Sequence, residues 1–153
     1  MGEDISYKNG LLISPAMIEE FLFPYYKDVI DTLRKGQNQF MHAELDSDGK
    51  LDEVIPLYKT IAFNAFGPFE IAAGNDVLEY AQKYPDIIIS GGIDKRILSN
   101  SKEAIKEELD RIMPLMVKRG GFISTCDHNV PSTVSYENYL YYRQQIVSMD
   151  ARK

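Results

Sequence analysis

Apolar residues along the chain recur with two different periods, and the segments that carry them alternate. Residues 86–92, DIIISGG, form an unbroken β-branched run that ends in a glycine pair, which is typical of a strand covered on both faces. Similar runs elsewhere predict strands near residues 38–44, 64–69, 86–90 and 121–125. Apolar positions at helical spacing predict helices over residues 51–62, 75–84, 101–120 and 135–149.

A further helical segment precedes the first predicted strand. Apolar side chains recur at helical spacing over residues 15–35, and Pro24 inside this segment predicts a kink or two helical pieces. Farther along the chain, Ser99 or Ser101 is the expected N-cap of the long helix at 101–120.

The alternation of strands and helices predicts one α/β domain over residues 1–153. Residues 1–37 make up the leading helical segment, and residues 38–153 hold four strand–helix units. Because consecutive parallel strands are joined by right-handed crossovers, these units predict a parallel sheet with its strands in chain order.

Polar side chains follow each predicted strand at the point where the strand ends. In parallel α/β folds the carboxyl ends of the strands meet at one edge of the sheet and build the active site. We therefore expect five ionisable side chains to converge on one rim. They are Asp46, Asp48, Glu70, Asp94 and His128.

Asp46 and Asp48 are two residues apart and face the same way if the strand extends that far. Two such like charges repel unless a cation lies between them or one carboxyl holds its proton. The alternative is an Asx turn, because DSDGK also has the composition of a tight turn. A complete EF-hand is excluded, since the twelfth-position glutamate is missing.

His128 lies between Asp127 and Asn129 at the end of the last predicted strand. It is a candidate general acid or base, metal ligand or anion binder, and the alternative is a solvated loop histidine. Cys126 is interpreted as a packing residue, because a catalytic thiolate requires a lowered pKa.

Lys95 and Arg96 follow the glycine pair at 91–92. Glycines at a strand end, with a cation nearby, allow close approach to an anionic ligand. The alternative is a loop in which both side chains are solvated. The segment is neither a P-loop nor a dinucleotide fingerprint.

Composition and charge exclude several classes of partner. The chain has 153 residues, a net charge of −6 and a sequence pI of about 4.9, which argues against nucleic acid or an anionic membrane as the main partner. No apolar run approaches the roughly 20 residues that span a bilayer. The single cysteine and the absence of signal-peptide features lead us to expect a cytoplasmic protein.

Several segments, in their order and spacing, resemble the C-terminal half of the uroporphyrinogen decarboxylase superfamily. That superfamily also contains cobalamin-linked methyltransferases. The similar segments cover essentially the whole chain and include LISPAMIEEFLFPYYKDVI, ELDSDGKLDEVIP, FGPFEIAAGND, GGIDKRIL, GGFISTCDHNVP and SYENYLYY.

The resemblance implies part of a TIM (β/α)8 barrel, which needs about 250 residues when complete. The similarity begins just after the fourth barrel strand. The arginine-rich segment and the essential aspartate of the decarboxylases belong to the N-terminal half. The resemblance therefore implies a half-barrel that is a fragment, a split-gene product or a truncated paralogue, and that decarboxylates only if an N-terminal half completes it.

The resemblance also suggests roles for individual residues. His128 resembles the substrate-contacting histidine of the decarboxylases' HGI motif, although HNV stands here, and Asp4 falls near a pocket serine. Asp46, Asp48 and His128 fall near the methyltransferases' zinc ligands, but oxygen ligands replace thiolates, which argues against zinc. We expect no metal and no cofactor.

Two kinds of function follow from these observations. In the enzymatic hypothesis, the chain helps to decarboxylate a tetrapyrrole, as in porphyrin biosynthesis, or acts on a methylated compound or corrinoid as a methyltransferase. His128, Asp46 and Asp48 then position or protonate the substrate, and the substrate-binding residues are Asp4, Glu70, Asp94, Lys95 and Arg96.

In the competing hypothesis, the chain is a non-catalytic truncated paralogue that acts by association. Open sheet edges near residues 38–44 and 121–125 invite pairing, and apolar side chains such as Phe40, Ile88 and Ile123 are then exposed if they point inward. The expected partner is a second copy or a separate N-terminal half-barrel chain.

Overall fold

A computed structural model describes residues 1–37 and 40–150 of the chain. Its elements in chain order are β1 (Ser6–Tyr7), β2 (Gly10–Leu11), α1 (Pro15–Phe21), α2 (Phe23–Gly36), β3 (Glu44–Asp46), α3 (Val54–Lys59), β4 (Ala65–Gly67), α4 (Val77–Lys83), β5 (Ile88–Ser90), α5 (Lys102–Arg119), β6 (Phe122–Ile123) and α6 (Tyr136–Met149). Two single 3₁₀ turns, Ile71–Ala73 and Ile97–Ser99, lie in the loops after β4 and β5.

The central sheet confirms the predicted architecture. Strands β3, β4, β5 and β6 pair in chain order and all pairs are parallel. A helix follows every strand of this sheet. The alternation of buried strands and amphipathic helices therefore produces the α/β arrangement that the sequence predicts.

Several expected details of the leading segment and the helices are confirmed, and one is wrong. The helical run breaks at Leu22, just before Pro24, so that α1 and α2 are separate pieces. The Ser101 hydroxyl, rather than Ser99, caps α5 by accepting from the Ala104 amide. The first fourteen residues are not helical, because the positive φ of Gly10 allows a turn that joins the antiparallel strands β1 and β2.

The first strand of the parallel sheet begins later than expected. Residues 38–39 of the predicted range lie outside the described residues, and β3 covers Glu44–Asp46 instead of 38–44. The reason is burial: Phe40 is three-quarters exposed, whereas Leu45 lies in the core. The other three strands lie inside their predicted ranges but are shorter.

The two faces of the sheet differ in character. Leu45, Phe66, Ile89 and Phe122 are register neighbours and form a row that packs under the helices. The opposite face is open. In β5, Ile88 and Ser90 are only partly buried on that side, so the expectation that this strand is covered on both faces is wrong for the described residues.

The outer edge of β3 is not exposed as expected, because the first residues of the chain lie along it. The Asp46 amide donates to the Met1 carbonyl at 2.8 Å, and the Glu3 amide donates to the Asp46 carbonyl at 2.8 Å. The Met1 amino group donates to the Glu44 carbonyl at 2.8 Å. These bonds satisfy edge groups of β3 that would otherwise invite pairing.

None of the helices within residues 1–37 and 40–150 has both the length and the apolar character needed to cross a membrane.

Candidate functional site

A cavity opens on the exposed face of the sheet at the carboxyl ends of the strands. It has a volume of about 350 Å³. All four parallel strands or the loops after them contribute to its lining, which consists of Glu44, Asp46, Asp48, Gly67, Pro68, Ser90, Thr125, Cys126, His128 and Asn129. Polar and acidic groups dominate this surface, which we call the rim cavity.

Asp48 and His128 form a pair of ionisable groups within the rim cavity. The Asp48 Oδ2 atom lies 3.5 Å from Nε2 of His128, and each side chain is about a third exposed. Partial burial and the charges of Glu70, Asp4 and Asp46 raise the pKa of Asp48 above its ordinary range, although His128 opposes the shift. Asp48 therefore holds a proton more readily than an ordinary aspartate.

A second cavity of about 360 Å³ lies next to the first and shares Asp48 with it. Asp4 and Glu70 line it, together with residues of the β1–β2 hairpin. The Glu70 carboxylate is already engaged, because it accepts from the Gly49 amide at 2.9 Å and pairs with the Lys95 ammonium at 3.4 Å. Glu70 thus links the loops after β3, β4 and β5.

The two candidate anion-binding cations are paired with carboxylates of the chain itself. Besides the Lys95–Glu70 pair, Arg96 binds both oxygens of Asp94 and donates its backbone amide to the same carboxylate. Burial alone raises the pKa of Asp94, but these bonds outweigh it and lower the pKa. Asp94, Lys95 and Arg96 are not among the residues that line the rim cavity.

The glycine pair serves packing within the chain. Gly92 has φ +85°, and a Cβ atom at this position would lie 2.0 Å from Cγ1 of Val77 in α4. Gly91 has φ +93°, and its Cβ atom would lie 3.0 Å from the Phe69 amide. The close approach predicted for a ligand is therefore made by neighbouring parts of the protein.

Two buried polar residues organise the rim, although the sequence did not single them out as site residues. Asp127 is 1% exposed and accepts from the Ile71 and Lys95 amides, each at 3.0 Å. Asn75 is fully buried, donates to the Gly49 carbonyl at 2.7 Å and accepts from the Leu51 amide at 3.1 Å. The sequence signal that could have identified Asp127 is its place in the polar cluster at the end of the last apolar strand.

The surroundings of Cys126 favour a thiol over a thiolate. Burial raises the pKa of Cys126, and its Sγ atom donates to the His128 carbonyl at 2.7 Å. Across the described ranges 1–37 and 40–150, no group of three or more His, Cys, Asp or Glu side chains has an arrangement that could hold a metal ion.

Comparisons with known proteins identify a family and a curated relative. The family model described as uroporphyrinogen decarboxylase (URO-D) matches residues 4–145. A uroporphyrinogen decarboxylase of Geobacter metallireducens is 24% identical over 132 residues, which are 86% of this chain and 37% of that protein. The chain therefore spans a little over a third of the length of this curated relative.

The family match covers nearly all of the chain and confirms the resemblance seen in its motifs. It also agrees with the fold, because four parallel strands that alternate with helices form part of a TIM barrel. The polar rim then lies where such barrels carry their active sites, at the carboxyl ends of the strands. The chain belongs to the uroporphyrinogen decarboxylase family.

Proposed function

We propose that this chain forms one side of a substrate pocket, the side that the C-terminal half of the barrel supplies. In this pocket a tetrapyrrole or a related acidic small molecule is decarboxylated. The observation that carries the proposal is the Asp48–His128 pair, 3.5 Å apart in a cavity at the carboxyl ends of the barrel strands. Family membership supports the reaction class, and the pair supplies groups that can move a proton.

Decarboxylation requires a proton source, because the bond from carbon to the carboxylate is replaced by a bond from carbon to hydrogen. Asp48 suits this role, since its raised pKa favours the protonated carboxyl that donates. His128 lies within reach to exchange a proton with it. Asp46, which also lines the cavity, raises the pKa of Asp48 further.

The charge of the rim cavity indicates which part of the substrate it faces. Glu44, Asp46 and Asp48 line it, whereas Lys95 and Arg96 are neutralised by Glu70 and Asp94. Acidic oxygen atoms accept hydrogen bonds from N–H groups and repel carboxylates. We therefore assign to this chain the nitrogen-bearing part of the substrate and the carbon that exchanges its carboxylate for a proton. The carboxylates that the substrate keeps bind on a segment that completes the barrel.

The test is decarboxylation of uroporphyrinogen, the reduced form of uroporphyrin. The products are then oxidised to porphyrins and separated by chromatography according to their number of carboxyl groups. The purified chain is assayed alone and mixed with the separately produced N-terminal part of the Geobacter metallireducens relative. We expect products with fewer carboxyl groups in the mixture, and saturable binding of uroporphyrin.

Asp48→Asn and His128→Gln should each lower the rate by about a hundredfold or more, which is the usual contribution of a proton-transfer group. Asp86→Asn is the matched control, because Asp86 pairs with Lys59 just before β5, at the other end of that strand. Folded protein that neither binds uroporphyrin nor turns it over in the mixture would contradict the proposal.

A further inference from the structure

We propose that Asp127 is the positioning residue of the rim: it holds the loops after β4, β5 and β6 in one arrangement and thereby places His128 against Asp48. The inference rests on the proposed site but not on the identity of its substrate. It assigns a task to a buried acidic residue that the proposed chemistry leaves unused.

The contacts of Asp127 join three loops that are distant in sequence. Its Oδ2 atom accepts from the Ile71 amide in the loop after β4, and its Oδ1 atom accepts from the Lys95 amide in the loop after β5. Its own amide donates to the Ile93 carbonyl at 2.8 Å, which extends the β5–β6 pairing past the end of the strands. The side chain thus bridges neighbouring loops rather than capping its own.

Only a carboxylate can make both of these hydrogen bonds at this position. Both oxygens accept from a backbone N–H group, whereas an asparagine of the same shape accepts with one atom and presents N–H groups with the other. Burial raises the pKa of Asp127, while the two amide bonds oppose that shift. A buried acid is held here against its desolvation penalty because its oxygen atoms satisfy two loops at once.

The consequence reaches both members of the proton-transfer pair. We call the two hydrogen bonds that the Asp127 side chain accepts from Ile71 and Lys95 the clamp. Because His128 is the next residue after Asp127, the clamp fixes the backbone that carries the imidazole. On the other side, the chain of contacts runs from Lys95 through Glu70 to the Gly49 amide. Gly49 follows Asp48 directly, so the same residue constrains the approach of the carboxylate.

The experiment measures position without requiring activity. Asp127→Asn in the full chain is compared with the wild type by amide hydrogen exchange and by the NMR signals of the two histidine rings. We expect the Ile71 or the Lys95 amide to exchange about tenfold faster or more, since a hydrogen bond to a charged group is lost. The ring signals of His128 should shift.

The chain supplies its own internal reference and a matched control. His42 lies before β3, against Phe40 and Asn64, and its ring signals should not move. Asp76→Asn removes a carboxylate that also accepts from two backbone amides, but both lie in its own helix α4. This variant should leave His128 and the Ile71 and Lys95 amides unchanged.

A second variant tests the clamp from the opposite side if Asp127→Asn fails to fold. Ile71→Pro removes the donor and keeps Asp127. Proline is tolerated there, because Ile71 is the first residue of a 3₁₀ turn and Glu70 before it is extended. It should shift the His128 signals and speed the exchange of the Lys95 amide.

Unchanged His128 signals and amide exchange in a folded Asp127 or Ile71 variant would overturn the inference. If the clamp is confirmed while uroporphyrinogen is not turned over, the proposed reaction fails and the positioning role stands. The two proposals therefore fail on different measurements.

Discussion

At the scale of single residues, the rim holds an acid in conditions that disfavour its charge. Partial burial, with Glu70, Asp4 and Asp46 nearby, raises the pKa of Asp48. The folded state then binds a proton more tightly than the unfolded chain, where an aspartate has a pKa of about 3.9. The free energy of unfolding consequently falls as the pH rises from that value through the folded pKa.

Asp48→Asn should therefore stabilise the fold at pH 7. Because Asp48 is more than a third exposed, we expect an increase in Tm of only about 1–2 °C, which corresponds to roughly 0.5 kcal/mol in a chain of this size. The difference should shrink as the pH falls from 7 through the folded pKa of Asp48, because the wild-type carboxyl then takes up a proton as well. Thermal melts followed by circular dichroism across this pH range are the measurement.

The control variant Asp86→Asn should change Tm in the opposite direction. The hydrogen bond from Lys59 lowers the pKa of Asp86, so Asp86→Asn should lower Tm at pH 7. This loss of Tm should vanish as the pH falls through the folded pKa of Asp86. An Asp48→Asn variant that melts below the wild type at neutral pH would show that the attraction to His128 outweighs the repulsion among the acids.

At the scale of elements, the loop after β5 is seated against α4 by one glycine. Gly92 has a left-handed backbone conformation, and the nearest atom to an added Cβ belongs to Val77, which is fully buried. Gly74, in the loop after β4, has nearly the same φ of +86° but no atom within 4 Å of an added Cβ. Substitution by alanine at Gly74 therefore carries only the free-energy cost of a left-handed backbone, whereas the same substitution at Gly92 adds the cost of a steric clash.

Both Gly74→Ala and Gly92→Ala should destabilise the protein, but by different amounts. Each variant places a side chain in the left-handed region, at a cost of about 1–2 kcal/mol. Only Gly92→Ala also forces a methyl group into Val77, which adds about 1–3 kcal/mol. Urea unfolding at equilibrium should resolve this gap. Equal losses in the two variants would mean that α4 moves aside without penalty.

At the scale of the whole molecule, the sheet has one covered edge and one open edge within the described residues. The first residues of the chain lie along β3, whereas β6 pairs with a strand on one side only. Beside β6, half-exposed Ile123 and two-thirds-exposed Val147 lie along a groove of about 510 Å³. An open parallel edge beside apolar side chains favours pairing with another polypeptide.

We expect the isolated chain to associate with a second copy through the β6 edge. Light scattering across a wide dilution range should show species larger than 17.5 kDa. Ile123→Glu should shift them towards monomer, whereas Leu115→Glu, at an exposed position of α5, should not. A compact monomer with a cooperative melt at micromolar concentration would contradict this expectation.

The sequence by itself determined the family and the order of the strands and helices that make up the parallel sheet and its cover, but not the β1–β2 hairpin. Strand and helix periodicity are local properties, so the run at 86–90, the break before Pro24 and the polar ends of the strands were readable without coordinates. Parallel pairing followed from the alternation, because consecutive parallel strands need a crossover. The position of β3 was predicted less well, since its register depends on which residues the helices bury.

Only the tertiary structure decided which polar groups meet. The Asp48–His128 pair joins residues eighty positions apart, and the partners of Lys95 and Arg96 turned both expected anion binders into ion-paired residues. Asp127 adjoins His128 in the sequence, but its side chain accepts hydrogen bonds from two amides in other loops. Contacts between residues so far apart in the sequence depend on the register in which the strands pair. No local sequence pattern specifies which side chains will be in contact.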